Sequence, residues 1–259
     1  PNPSHPETAM PLQPIRMVAI DIDGTLLRTD KRLSRRTVDV IQQASAGGVQ
    51  VIIASARPPR SVREIHDLLG LQTLQINYNG ALIFDRKRGR AVYHKPVHQD
   101  LARQIIQTAR RADRNVVVSM EIMDKWYTDH FDETLPTETS KEFMPDFIGP
   151  LNAFLRVPVT KLMFLAPPRR LAKVRRSLET QYTGLVSMAV SDTHLIQIAH
   201  RDVNKARALS RIAAHHRVPR EAVMAIGDAP NDVQMLKWAG MGVAVDNAWP
   251  AARKAADVY

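Results

Sequence analysis

Val18-Ala19-Ile20-Asp21-Ile22-Asp23-Gly24-Thr25-Leu26-Leu27 runs an apolar segment into two carboxylates one residue apart, followed at once by Gly-Thr. The apolar part reads as a buried strand, and such a strand should stay hydrophobic to its end. Unpaired carboxylates beside it cost several kcal/mol unless a cation or a proton compensates. Gly24 frees the backbone to turn sharply, which leaves Asp21 and Asp23 at the carboxyl edge of a sheet, where open α/β folds place their ligands. Alone, the segment also fits a strand followed by an Asx turn, since Asp-Gly is an ordinary turn dipeptide. A second stretch decides between the two. Ala222-Val223-Met224-Ala225-Ile226-Gly227-Asp228-Ala229-Pro230-Asn231-Asp232 again carries a strand into acids. A turn former at Asp228 or a helix N-cap at Asp232 explains either acid singly, but not both together. If the two strands are neighbours in one parallel sheet, Asp21, Asp23, Asp228 and Asp232 converge, and such a cluster of hard oxygen ligands suits Mg²⁺.

The remaining chain alternates strand and helix. Ser34 is placed as an N-cap before Val38, Ile41 and Ala44 at helical spacing; Gly47-Gly48 ends that helix, and 49–54 reads as the next strand. Pro58-Pro59 start a helix through Ile65 and Leu69, and 74–78 is strand-like, so the βαβ alternation favours a parallel, doubly wound sheet. Segments 81–85 and 91–96 then flank Arg86-Lys87-Arg88-Gly89-Arg90, which reads as a hairpin leading into an insertion. Within 98–197 a helix at 101–112 alternates with strands at 116–122, 125–128, 161–165 and 185–190, a second α/β domain. Helix 205–215, the strand ending at Asp228, helix 233–238 and strand 242–245 resume the core. The expected division is a flexible Pro-rich tail over 1–16, a discontinuous core over 17–97 and 198–259, and an inserted domain over 98–197.

Composition narrows the function classes. At 259 residues the chain exceeds the usual single domain, and 44% hydrophobic with 24% charged residues is ordinary for a globular protein. With no cysteine there is no disulfide, no thiolate zinc site and no Cys nucleophile. No apolar run is long enough to span a bilayer, and Pro1-Asn2-Pro3-Ser4-His5-Pro6 lacks the basic and apolar regions of a signal peptide, so the expectation is a cytoplasmic protein with no membrane partner. The net charge of +10 fits either a phosphorylated small substrate or a nucleic acid. Arg110-Arg111, Arg169-Arg170 and Arg175-Arg176 lie on helix-like segments, where such pairs are solvated faces, and no nucleic-acid motif accompanies them; no specific nucleic-acid partner is expected.

Four separated segments, in order, resemble the haloacid dehalogenase superfamily of phosphohydrolases and its Cof-like branch with a large α/β cap. They are Asp21-Ile22-Asp23-Gly24-Thr25-Leu26-Leu27; Ile52-Ile53-Ala54-Ser55-Ala56-Arg57-Pro58; Val203-Asn204-Lys205-Ala206; and Gly227-Asp228-Ala229-Pro230-Asn231-Asp232-Val233-Gln234-Met235-Leu236. Asn79-Gly80-Ala81 also matches, and Ala56 and Ala206 stand where the family shows glycines. The resemblance implies a Rossmann-like core with an inserted cap and a Mg²⁺-dependent phosphatase of small phosphorylated metabolites, a sugar phosphate first among them, in a monomer or homodimer. It implies that Asp21 attacks phosphorus and forms an aspartyl-phosphate, and that Asp23 protonates the departing alcohol and then activates water. Asp21, the main-chain carbonyl of Asp23 and Asp228 would hold Mg²⁺, with Asp232 ligating directly or orienting a bound water. Ser55 would hydrogen-bond a phosphoryl oxygen, although a serine there also caps the next segment. Lys205 would supply the compensating cation, since a lysine in a helix's first turn is otherwise poorly placed. Asn231 would bind phosphate, and Arg57 would touch the substrate or the cap.

Two other functions keep the same fold: phosphoryl transfer between positions of a sugar, as in the related phosphomutases, and a non-catalytic basic module binding nucleic acid or protein. Retention of Asp21, Asp23, Lys205 and Asp228 argues against the module. Gly240-Met241-Gly242 follows a helix instead of a strand, and adjacent His215 and His216 cannot share a helix face, so neither marks a site. Met120, Met123, Trp126, Tyr127 and His130 are the cap residues placed toward a substrate, with a core role as their alternative.

Overall fold

The computed structural model describes residues 14–28 and 30–259, so the tail expected over 1–16 lies, through position 13, outside the described residues. The core opens with β1 (Met17–Ile20), α1 (Arg35–Ala46), β2 (Gln50–Ile53), α2 (Pro59–Leu68), β3 (Leu74–Asn77), β4 (Leu82–Asp85) and β5 (Arg90–His94). There follow α3 (Gln99–Ala112), β6 (Val117–Ile122), β7 (Lys125–Thr128), β8 (Phe147–Ile148), β9 (Lys161–Leu165), α4 (Pro168–Tyr182), β10 (Val186–Asp192) and β11 (Leu195–His200). The core closes with α5 (Lys205–His215), β12 (Val223–Gly227), α6 (Val233–Trp238), β13 (Met241–Ala244) and α7 (Pro250–Ala255).

Strands β13, β12, β1 and β2 form a parallel sheet in that order. A parallel bridge between Ala54 and Ile76 sets β3 beside β2, and β3, β4 and β5 continue as an antiparallel hairpin sheet. The chain therefore moves outward from β1 in one direction through β2 and β3, then returns to the other side of β1 for β12 and β13. That reversal makes the carboxyl ends of β1 and β12 a topological switch point, the crevice in which such sheets hold ligands. Side chains alternate as the pleat requires. Met17, Ala19 and Ile52 pack with Leu209, Ile212, Met235 and Ala252 of α5, α6 and α7. Val18, Ile20, Val51 and Ile53 pack on the opposite face with Ile41 of α1 and Val62 of α2. Each aliphatic side chain so buried is worth about 1.5–3 kcal/mol, which is what offsets the cost of enclosing acids at the strand ends. Helix starts follow the expected chemistry: Ser34 accepts from the Thr37 amide, Pro59 is the first residue of α2, and Asn204 accepts from the Arg207 amide.

The second sheet runs β10-β11-β9-β6-β7-β8, antiparallel except for the β7–β8 pair, with α3 and α4 packed together on one face over a core of Ile105, Phe164, Val174 and Ile196. Its other face buries Val117, Trp126, Met163, Leu165 and Leu195 against Phe131 and Leu135 of the 129–146 loop. β11 is a separate strand, and its pairs Ile198–Leu162 and His200–Val186 carry the sheet three residues beyond position 197. The six-stranded sheet meets the rest of the chain through Val97 and Val159, which exchange both backbone hydrogen bonds, and through a buried polar contact. Glu121 of β6, fully enclosed, accepts 2.8 Å from Arg60 of α2 and 2.5 Å from the Tyr78 hydroxyl, while Arg60 also grips Asp124. Among the described residues no helix is long and apolar enough to cross a membrane.

Candidate active site

Four buried ionic groups meet at the switch point. Asp21 follows β1 and its amide donates to Ile226 of β12 at 3.0 Å, so strand register alone sets it beside the loop that carries Asp228. Lys205, the first residue of α5 and fully buried, donates to Asp21 Oδ1 at 2.5 Å and to Asp232 Oδ1 at 2.7 Å. Asp232 stands at the start of α6 but does not cap it: its Oδ2 accepts from the amides of Asp228 and Ala229 at 3.1 and 3.0 Å. Asp228 accepts from the Thr25 hydroxyl at 2.7 Å. Asp232 therefore does not cap α6, although its carboxylate does close the loop that carries Asp228. Gly24 is required here, because its φ is +86° and a Cβ would stand 2.4 Å from Asp228 Oδ2. A Cβ on Gly227 would meet Asp232 at 2.6 Å, so the second loop closes on its own carboxylate only through a glycine.

One oxygen from each of Asp21, Asp228 and Asp232 lies within 4.8 Å of the others. Three enclosed carboxylates against one ammonium leave the cluster short of positive charge. Burial, reinforced by the negative Asp232 and Asp228, pushes the Asp21 carboxyl up to about 7 even though Lys205 pulls it down. Burial also raises Asp228, and Lys205 is held above its ordinary value because Asp21 and Asp232 outweigh its desolvation. Such an all-oxygen, charge-deficient cluster fits a hard divalent cation.

Asp23 faces the other way. Burial alone would raise its carboxyl, but Arg57, at 2.8 and 2.7 Å through two nitrogens, and Lys31, at 3.0 Å, hold it below the usual carboxylate range. Its side chain contributes nothing to the three-carboxylate group. Ser55 is buried and its Oγ accepts from the Arg57 amide at 3.1 Å, a local turn contact that shapes the loop carrying Arg57. Asn231 is exposed and donates 3.0 Å to Asn79 Oδ1, which ties the β12 loop to the turn after β3. The Ala206 methyl packs into the hydrophobic core under α5.

The expected set thus divides into an inner cluster of Asp21, Lys205, Asp228 and Asp232 and an outer pair of Asp23 and Arg57, with Ser55 and Asn231 on the enclosing loops. Thr25 and Lys31, which complete the contacts of Asp228 and Asp23, were not singled out in the sequence; Thr25 was legible from its place directly after Asp-Gly, whereas Lys31 depends on a tertiary contact. In the second sheet Trp126 is buried against Phe131 and the Tyr127 ring lies 4.4 Å from Phe154, so both serve packing. His130 lies beside Asp129 and Asp132 on a separate surface depression. The residues of this insertion that do face Arg57 are Glu138, Glu142 and Phe143, together lining a cavity of about 400 Å³ with Lys31, Arg57 and Arg60.

The family model for haloacid dehalogenase-like hydrolases matches residues 18–259. A 5-amino-6-(5-phospho-D-ribitylamino)uracil phosphatase of Bacillus subtilis is 30% identical over 93% of this chain and 90% of its own length. An HMP-PP phosphatase of Yersinia pseudotuberculosis is 28% identical over 91% and 85%. Among solved structures, a haloacid dehalogenase-like hydrolase from Bacteroides thetaiotaomicron superposes with TM-score 0.82 at 24% identity over 94% and 93% of the two chains. A Thermotoga maritima protein gives 0.84 at 23% identity over 94% and 91%, a likeness of fold.

Proposed function

The chain belongs to the haloacid dehalogenase-like hydrolase family, and on that premise we propose that it is a Mg²⁺-dependent phosphatase that hydrolyses a small phosphorylated metabolite through an aspartyl-phosphate. The observation that carries this reading is the enclosed cluster of Asp21, Asp228 and Asp232 around Lys205, whose desolvation costs several kcal/mol per ion and which a functional role would account for. Relatives named as phosphatases of small phosphorylated compounds support the substrate class.

Asp21, Asp228 and Asp232, with the main-chain carbonyl of Asp23, would hold the Mg²⁺. When bound, the ion supplies positive charge that lets a carboxylate approach a phosphate dianion. Lys205 fixes Oδ1 of Asp21, and Oδ2 takes no hydrogen bond among the described residues, so Oδ2 is the attacking atom. Its bond to phosphorus forms as the phosphorus–oxygen ester bond breaks, and the departing alcohol oxygen takes the proton of Asp23. Asp23 then removes a proton from water as that water attacks phosphorus and the bond to Asp21 breaks, which releases phosphate and restores both carboxyl groups. In the substrate-free protein Arg57 and Lys31 hold Asp23 ionised. An arriving phosphate dianion competes for those cations, and Asp23 regains its proton as they turn to the phosphoryl group. The insertion from 98, followed by strand pairing through His200, is the cap that closes over this step.

The test is a panel of phosphorylated metabolites with and without Mg²⁺, reading released phosphate. Turnover that stops with chelator and returns with Mg²⁺ is expected. Turnover indifferent to chelator, or none on any phosphomonoester, would overturn the reading.

A further inference from the structure

Two strained turns face each other where the core meets the second sheet. Tyr78 (φ +50°) and Asn79 (φ +56°) follow β3, and Met123 (φ +56°) is the first of the two residues that join β6 to β7. A left-handed backbone is costly for side chains as bulky as Tyr and Met, and it persists only where the surroundings over-determine it, which is characteristic of functional positions. The Tyr78 hydroxyl joins the two turns, 2.5 Å from both Glu121 Oε2 and the Met123 carbonyl oxygen, and the Met123 amide donates to the Thr160 hydroxyl at 2.7 Å. Both turns also hold the Arg57 loop. The Tyr78 amide and the Asn77 side-chain amide donate to the Arg57 carbonyl at 3.2 and 3.1 Å, and the Asn79 amide donates to the Ser55 carbonyl at 3.0 Å. On the other side of Arg57, α2 starts with Pro58 in its cap position and no side-chain cap of its own. Asp124 supplies the missing acceptor from the second sheet: its Oδ1 accepts from the Arg60 amide at 2.9 Å, and its carbonyl accepts from the Arg60 guanidinium at 2.6 Å.

The main chain of Arg57 is thus fixed on one side by Tyr78 and on the other by Asp124, and the Arg57 guanidinium holds both oxygens of Asp23, at 2.8 and 2.7 Å. Resting on the phosphatase reading, we infer that Tyr78 and Asp124 are positioning residues for the acid–base Asp23: by docking the β6–β7 turn of the second sheet on the Arg57 loop they deliver the Asp23 carboxyl in one orientation. Neither touches Asp23, and both act through Arg57. Proton transfer to the departing oxygen demands hydrogen-bond geometry, and a misplacement of about 1 Å originating away from the chemistry can cost about 10²-fold. The second sheet therefore takes part in the reaction through its turn, whatever its contacts with the substrate.

The probes are phenyl phosphate and 4-nitrophenyl phosphate with Mg²⁺, which share ring and ester and differ in how far the departing oxygen needs a proton. kcat/KM includes the step that breaks the ester bond, so a displaced acid penalises the more basic phenoxide selectively. The ratio of kcat/KM, 4-nitrophenyl over phenyl, should rise about tenfold above that of the natural protein in Tyr78→Phe and in Asp124→Ala, and return to within about threefold in Asp124→Asn, whose amide oxygen still accepts from the Arg60 amide. A purely structural role lowers both rates together and leaves the ratio unmoved. Tyr78→Phe keeps the buried ring and decides the question alone if Asp124→Ala does not fold. A Tyr78→Phe ratio within about threefold of the natural one, an Asp124→Asn ratio as high as that of Asp124→Ala, or a natural protein that hydrolyses 4-nitrophenyl phosphate only, overturns the inference while the phosphatase reading stands. Hydrolysis of neither ester by the natural protein overturns both.

Discussion

Mg²⁺ binding should weaken steeply on acidification, by an amount set by the burial of Asp21. Its carboxyl stands at about 7 in the metal-free protein because it is enclosed with two other acids. A divalent ion takes the ionised form, so below that value binding displaces a proton. With a pKa of about 7 the carboxylate is ionised in roughly three-quarters of molecules at pH 7.5 and roughly 3% at pH 5.5, so affinity falls about 25-fold, or about 2 kcal/mol. Stability follows the same linkage. The folded value lies above the unfolded one near 4, so the contribution from protonated Asp21 is complete below about pH 4 and is lost as pH rises through about 7. The contribution of Asp21 to the stability of the metal-free protein therefore falls across that window, and Mg²⁺ offsets it only toward the upper end. Isothermal titration of Mg²⁺ at the two pH values, in buffers of different ionisation heat, reads affinity and proton release together. Equal affinities within threefold, with no proton released near pH 6, would refute the argument that the cluster is short of a cation.

Two further outcomes follow from the contacts. Lys205→Met strands Asp21 and Asp232 without their cation, and should cost about 3–5 kcal/mol in urea denaturation without Mg²⁺, part of it regained when Mg²⁺ is added; a melt like that of the natural protein would show that the lysine does not balance the cluster. Arg60→Ala removes the guanidinium that ties α2 to Glu121 and Asp124 of the second sheet and should cost about 2–4 kcal/mol, read as a lower Tm; an unchanged Tm would mean that Tyr78 and Lys161 suffice for Glu121.

What could be read before the structure was whatever is encoded locally. Apolar runs ending in Asp21 and Asp228, the Ser34 cap, Pro59 at a helix start and the Asn204-Lys205 opening of α5 each carry their meaning within a few residues, and all fall where expected. The boundary expected at 197 falls inside β11, which pairs with β10 across a two-residue turn and with β9 thirty residues earlier; the strand was missed because Leu195-Ile196-Gln197-Ile198-Ala199-His200 alternates only in part, although its pairing with β10 is local. β8 is two residues long and exists only through its pairing with β7. The capture of Asp23 by Arg57 spans 34 positions, and no local pattern announces it. In the second sheet, the aromatic residues Trp126 and Tyr127 read as candidates to face a substrate, but Trp126 is buried and Tyr127 is half-buried against Phe154. The residues that reach the cavity, Glu138 and Glu142, lie in a charged loop that reads as an ordinary solvated surface.

Asp21→Asn is the most direct test of covalent catalysis at the switch point. The change keeps volume, removes the proposed nucleophile and relieves one of three crowded carboxylates, so the metal-free variant should fold with a Tm at or above that of the natural protein. Its kcat on an aryl phosphate with saturating Mg²⁺ should fall by about 10⁴-fold or more, as for loss of an essential nucleophile. A folded Asp21→Asn protein that retains kcat within tenfold of the natural one would contradict the account.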